Sequence, residues 1–218
     1  MKQWISKSIL AGILIGLASC IYMSCANQYI GAFLFSIGLM SVIVLETKLF
    51  TGVIGYICSW KTCWKALLCL AINLVVAYLI GFIYRCCIFV PIQPVSERFI
   101  NFVWYSVLLK ACFTGSLIYL ACELYIKTKK LLPIVLAVMA FILSSSPHCI
   151  ADMVYLGATG FWSIRIPTYF ILVITGNSVG SLLIRRFELL GHKDIKYSWE
   201  KKTKCKHLKN ELKNQKHK

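Results

Sequence analysis

The chain has 218 residues, of which 59% are hydrophobic and 15% charged, and its mean hydropathy is +0.73. Soluble domains average about a quarter charged residues, so this composition excludes an ordinary soluble enzyme or binding module. The net charge of +16 invites a nucleic-acid reading, but the distribution of the charge, set out below, excludes that as well.

Apolar runs recur along the chain at Ser8–Ala26, Tyr29–Leu45, Ala66–Tyr84, Phe102–Ala121, Leu131–Leu143 continuing past His148, and Ile166–Ile184. A membrane crossing needs roughly 20 apolar residues at about 1.5 Å rise each. The runs predict six crossings joined by short loops, with no separate soluble domain. Lys2 and Lys7 ahead of the first run resemble the start of a signal peptide. That run reaches spanning length and five more follow, so it is read as the first crossing.

The basic residues alternate by loop. Two lie in the amino-terminal stub, Lys61 and Lys65 follow the second run, and Lys127, Lys129 and Lys130 follow the fourth. Twelve more lie between Arg185 and Lys218. The opposite loops carry only Arg85, Arg98 and Arg165. This bias predicts a cytoplasmic-membrane protein with both termini in the cytoplasm. The division is a six-span transmembrane domain over residues 1–191 and a basic tail over 192–218. The tail is suited to anionic headgroups. Its aromatics, Tyr197 and Trp199, form no stacking platform for nucleic acid.

Eleven cysteines occur with no CxxC pair. Most sit inside or close to the apolar runs, where Cys acts as a small hydrophobe, so neither a metal centre nor any cofactor is expected.

Two polar breaks interrupt the apolar pattern. One is Glu46–Gly52, ahead of the short apolar piece Val53–Ser59. The other is Ser144–Asp152, which holds Pro147, His148 and Asp152. A titratable imidazole and a carboxylate four residues apart at membrane depth are costly and mark a functional site. Broken backbone at that depth must be covered by protein or line a cavity. The six runs divide into halves of three, near residues 8–90 and 102–186, each broken at its middle run and each carrying an Asn, Asn73 or Asn177, in its third. Three crossings per half give the halves opposite orientations, and matched broken helices place a substrate site near the midplane. Lys110 is a further charge, inside the fourth run, and scattered Gly, Ala and Ser residues permit close helix approach.

At these breaks the sequence resembles the formate/nitrite transporter family. Phe33-Leu34-Phe35-Ser36-Ile37-Gly38-Leu39 followed by Leu49-Phe50-Thr51 is similar to the family's Phe-Ser-x-Gly-Leu and Asp/Glu-Leu-Phe-Thr pattern. Asn73-Leu74-Val75-Val76-Ala77 is similar to Asn-x-x-Gly-Ala. Pro147-His148-Cys149-Ile150-Ala151-Asp152-Met153 is similar to Glu-His-Ser-x-Ala-Asn-Met. Gly176-Asn177-Ser178-Val179-Gly180 is similar to the last-span Gly-Asn-x-x-Gly. The resemblance covers roughly Ile9 to Arg185. Lys48, Pro147, Asp152 and Gly115 stand where the family carries an acid, Glu, Asn and Asn, and the family's amphipathic amino-terminal helix has no counterpart before the first run.

The resemblance implies an all-α membrane protein of six helices with an aquaporin-like inverted repeat, assembled as a homopentamer with a pore in each protomer. It implies a channel or proton-coupled transporter for a small monovalent anion, formate or nitrite, with a hydrosulfide channel as the alternative. By that resemblance Phe35, Leu39 and Phe141 form one apolar constriction and Leu49, Phe50 and Thr51 the other. His148 lies between them near Thr51, and Arg98, Lys110 and Lys48 supply vestibule charge. The residues themselves make chemical sense of this. An anion loses far more than its conjugate acid on entering an apolar neck, and an imidazole, with an ordinary pKa of about 6.5, can donate or share a proton there. Asp152 is read as a carboxylate that orients His148 or caps the half-helix, and Thr51 as a partner of His148. Arg98 has Glu97 and Glu46 as candidate partners, and Lys48 has Glu46. A membrane enzyme built on His148, Cys149 and Asp152 is the distant alternative, disfavoured because adjacent side chains rarely face one another.

Overall fold

The computed structural model describes residues 1–87 and 97–215, with side chains described as far as residue 191. The described residues are helical throughout, joined by turns, with no strand among them. Helix α1 is Lys2–Ser24, α2 Gln28–Val44, α3 Phe50–Val53 (continued by a 3-10 turn, Ile54–Tyr56), and α4 Trp60–Cys87. After a helical turn at 97–100 come α5 Trp104–Thr128, α6 Leu132–Leu143, α7 Cys149–Thr159 and α8 Ile166–Gln215. The end of the first predicted half (88–90) and the side chains of the basic tail lie outside the described residues.

Four helices are long and apolar enough to cross a membrane: α1, α4, α5 and Ile166–Gly191 of α8. Helices α2, α6 and α7 are shorter apolar helices. The long ones extend past the apolar runs. Lys61 and Lys65, expected in a loop, stand in the first turns of α4, and Arg85 in its last turn. Lys and Arg are good helix formers whose stems can reach out of the apolar zone, so charge alone does not end a helix. A reciprocal cap sets the start of α4. The Thr62 amide donates to Ser59 Oγ (3.3 Å) and the Ser59 amide to Thr62 Oγ1 (3.0 Å).

Both breaks are built alike. Helix α2 ends with Glu46 at φ 51°, and α6 ends with Ser145 at φ 51°. In the first, the Thr47 amide donates to the Val42 carbonyl and the Glu46 amide to that of Ile43. In the second, Ser146 donates to Phe141 and Ser145 to Ile142. This is a Schellman ending, here without glycine at the left-handed position. The breaks are shorter than predicted. Only 45–49 and 144–148 leave the helical path, and Phe50–Gly52 and Cys149–Asp152 are already helical. Thr, Gly and Asp favour turns locally, but side chains from α4 and α8 hold the first amides of the resumed helices.

Small residues set how closely the helices pack. Helix α5 crosses α8 so tightly that a Cβ on Gly115 would stand 2.0 Å from the Asn177 carbonyl oxygen, and one on Gly180 would stand 1.9 Å from that of Cys112. Gly81 of α4 and Gly157 of α7 meet each other's helix backbones in the same way. Outside the core, Leu79, Phe82, Leu136 and Ile171 are exposed, as expected where lipid or another subunit provides the covering. Gly180→Ala is expected to force α5 and α8 apart and to destabilise the protein by about 3 kcal/mol. Thermal unfolding of the detergent-solubilised protein checks this, and an unchanged midpoint would contradict the packing described.

Candidate functional site

The site begins with two asparagines. Asn73, fully buried on α4, accepts the Phe50 amide on its Oδ1 (2.8 Å). Its Nδ2 donates to the Ser8 carbonyl of α1 (2.7 Å) and to the Lys48 carbonyl (3.2 Å). Asn177, fully buried on α8, repeats this. Its Oδ1 accepts the Cys149 amide (3.0 Å), and its Nδ2 donates to the Ala111 carbonyl of α5 (2.9 Å) and to the Pro147 carbonyl (3.1 Å). Each amide therefore satisfies the first orphan N–H of a half-helix and a carbonyl of the extended segment before it, where water is absent. The two asparagines act as structural clasps for the breaks.

The clasps bring the two half-helix starts together. His148 is the N-cap of α7, and its Nδ1 accepts the Ala151 amide (3.2 Å). With Nδ1 an acceptor, the proton of the neutral ring sits on Nε2. Nε2 therefore donates to Thr51 Oγ1 at 3.0 Å. Thr51 is fully buried and His148 is 2% exposed. Leu49 occupies in the first break the N-cap place that His148 holds in the second.

Apolar side chains bracket this pair. The Phe141 ring lies 5.9 Å from the imidazole and 6.1 Å, edge on, from Phe35. Leu39 follows Phe35 by one turn of α2, and Leu39, Leu49 and Phe50 are all buried. On the Leu49 side opens a cavity of about 450 Å³, whose lining includes Trp4, Lys48, Leu49, Tyr56 and Lys129. On the His148 side a cavity of only about 20 Å³ is lined by Arg98, Phe141, Ser146, His148, Asp152 and Tyr155 among others. The two cavities share no lining residue: Leu49 lines the first, and Phe141 and His148 line the second.

Some predicted residues are placed differently. Asp152 does not touch the His148 imidazole. Its Oδ1 accepts from Arg98 Nη1 and its Oδ2 from the Tyr169 hydroxyl, both at 2.8 Å. Arg98 is therefore held by Asp152 rather than by Glu97 or Glu46. The buried carboxylate needs donors, and Arg98 and Tyr169 are those within reach. Lys48 forms no ion pair with Glu46. Its Nζ stands 5.3 Å from the Trp4 ring, a cation–π contact that replaces the pair. Lys110 is exposed on α5 and lines neither cavity, because its neighbour Ala111 takes the inward face against Asn177. The structure thus gathers His148, Thr51, Phe35, Phe141, Arg98 and Asp152 and leaves Lys110 outside.

Sequence reasoning missed Tyr155 and Tyr169. Tyr155 follows Asp152 by three residues, a spacing that places both on one helix face, so it was legible in principle. Tyr169 carried no signal before α8 was known to pack on α7. A second polar cluster holds the far end of the first half-helix. The Tyr56 hydroxyl donates to Glu123 (2.9 Å), Arg185 donates to the Gly55 carbonyl (2.8 Å), and Lys127 and Tyr119 both donate to Glu188.

The family model described as "Formate/nitrite transporter" matches residues 1–187. The chain belongs to the formate/nitrite transporter family. It is a multi-pass membrane protein. Among solved structures it is similar to an FNT family ion channel (18% identity, TM-score 0.72, 88% of each chain covered). It is also similar to a pentameric formate channel with formate bound (18% identity, TM-score 0.70, covering 88% of this chain and 97% of that one). No curated protein matches the sequence. Formate/nitrite transporters are transport proteins, not enzymes. Both ring nitrogens of His148 are engaged, Nε2 by Thr51 and Nδ1 by the Ala151 amide. Among the described residues no group of His, Cys, Asp and Glu could hold a metal.

Asn177→Leu removes a cap and leaves a buried amide unsatisfied, so it is expected to destabilise the protein by about 2–4 kcal/mol. Hydrogen exchange at the Cys149 amide is expected to speed up strongly. Exchange no faster than in the unaltered protein would show that Asn177 is not the clasp.

Proposed function

We propose that each protomer is a conduction path for a small monovalent anion, formate or nitrite, that runs from the Leu49-side cavity past Thr51 and His148 to the Arg98-side cavity. The single observation that carries this reading is the buried hydrogen bond between His148 Nε2 and Thr51 Oγ1 at 3.0 Å, where two capped half-helices meet between apolar walls. Phe35, Leu39 and Phe141 form the apolar constriction on one side, and Leu49 and Phe50 that on the other. An anion gives up much hydration there and its conjugate acid little. The Nε2–H, fixed by the Ala151 cap, is aimed where an oxyanion would need a donor, and Thr51 can release it without leaving the ring unsupported. Lys48 at one mouth and Arg98 at the other provide vestibule charge, and Lys110 serves the protein's outer surface.

In the assembled form, six crossings per subunit, two of them broken, form inverted halves near residues 8–90 and 102–186. Five subunits make a homopentamer in the cytoplasmic membrane. The similarity to a pentameric formate channel and the basic bias of alternate loops support this arrangement. Both termini are cytoplasmic, and the 192–218 tail rests on anionic headgroups.

Uptake of formate into proteoliposomes tests the proposal. Uptake is expected to rise as the outer pH falls and the conjugate acid becomes more abundant. His148→Ala, which removes a donor to a buried charged species, is expected to lower it about 10- to 100-fold. Lack of uptake of formate, nitrite and hydrosulfide alike would overturn the reading. Hydrosulfide alone would assign the chain to the alternative substrate, and unchanged flux in His148→Ala would remove His148 from the path.

A further inference from the structure

Arg98 and Asp152 line the small cavity beside His148. Asp152 projects from α7 and is 1% exposed, whereas the Arg98 side chain, from the helical turn at 97–100, is 33% exposed. One guanidinium N–H donates to the carboxylate, and the guanidinium carbon stands 5.5 Å from the centre of the Tyr155 ring. Tyr169 donates to the other carboxylate oxygen. Arg98, Asp152, Tyr155 and His148 all line the cavity of about 20 Å³, which has room for one water-sized group. A guanidinium has five N–H donors, and among the described residues the one hydrogen bond given by the Arg98 guanidinium is that to Asp152.

An asparagine in place of Asp152 would fill the same space, its Oδ1 accepting from Arg98 and its Nδ2 donating to the Tyr169 hydroxyl oxygen. What Asp adds is a full negative charge, and its effect is on Arg98. A lone guanidinium at a narrow, weakly solvated mouth would hold an oxyanion tightly, because charge interactions there are poorly screened. Conduction needs a site that binds well enough to admit an ion and weakly enough to release it. With the carboxylate in contact the pair carries no net charge, while the remaining N–H groups still offer directed donors.

We propose that Asp152 is a specificity-determining residue that converts Arg98 from a trap into a weak, releasing site for small oxyanions at the mouth of the His148 chamber. Its role in flux rests on the channel reading; its role in binding does not. The charged and titratable groups around the carboxylate are Arg98, Tyr155, Cys149 and His148 of its own segment, and Tyr169 of α8.

The experiment measures formate twice, as concentration-dependent uptake into proteoliposomes and as thermal stabilisation of the purified protein by sodium formate. In Asp152→Asn the half-saturating formate concentration is expected to fall about tenfold in both measurements. Maximal flux is expected to fall with it, because release becomes limiting. Asp152→Glu, which keeps the charge, is expected to restore wild-type values, and Arg98→Gln combined with Asp152→Asn to abolish the tight binding. If Asp152→Asn does not fold, the comparison of Arg98→Gln with Arg98→Lys decides. Weaker formate binding only in the former supports the proposal, and equal binding overturns it. A folded Asp152→Asn protein with unchanged or weaker formate binding also overturns it. Absence of wild-type flux with the tenfold binding shift intact would overturn the channel reading alone.

Discussion

The structure depends on satisfying backbone amides where two helices stop and restart inside an apolar protein. In a membrane no water reaches such a break, and each orphan N–H or C=O there costs several kcal/mol. Asn73 and Asn177 meet that constraint with the same three bonds each: one amide accepted, one extended-segment carbonyl and one neighbouring-helix carbonyl satisfied. Because each asparagine ties a half-helix to its own helix and to a third one, the breaks are fixed by the bundle rather than by local turn chemistry. The Schellman endings of α2 and α6 hold the other side of each break. Everything polar in the centre hangs on that frame.

Within the frame, each polar group has a defined partner. The Ala151 cap assigns the proton of His148 to Nε2 and aims it at Thr51. The residue equivalent to His148 in the other break is Leu49, so the two halves share a backbone design and differ in chemistry at the point where they meet. The asymmetry extends outwards. The Leu49 side opens into a large cavity with Lys48 and Lys129 in its lining, whereas the His148 side is nearly filled and ends in the Arg98–Asp152–Tyr169 cluster. Removing one member of a buried ion pair is generally costly, about 3–5 kcal/mol, because it strands the other charge. The cluster therefore stiffens the start of α7 as well as setting the charge at its mouth.

Close packing carries the same constraint to the periphery. Gly115 and Gly180 let α5 and α8 approach until backbone faces backbone, which is what allows the Asn177 side chain to span from α8 to Ala111 and Pro147. A bulkier pair of surfaces would leave the clasp too short. The small residues and the clasps are thus one feature of the fold.

The sequence alone determined the class, the position of the breaks to within a few residues and the placing of His148 at the second break, since polar residues in an apolar run are a local pattern. Thr51 as its partner was legible through the resemblance of Leu49-Phe50-Thr51 to a family pattern. What only the tertiary structure decided is which donor meets which acceptor. Asp152 was read as orienting His148 or capping the half-helix, yet α7 turns the carboxylate towards Arg98 and Tyr169. Lys110 was read as vestibule charge through the family resemblance, yet the inward helix face belongs to Ala111. Hydrophobic patterning says which stretches are buried. The rotation of one helix against another, set by backbone contact at glycines and by buried amides that must find partners, says which side chains meet.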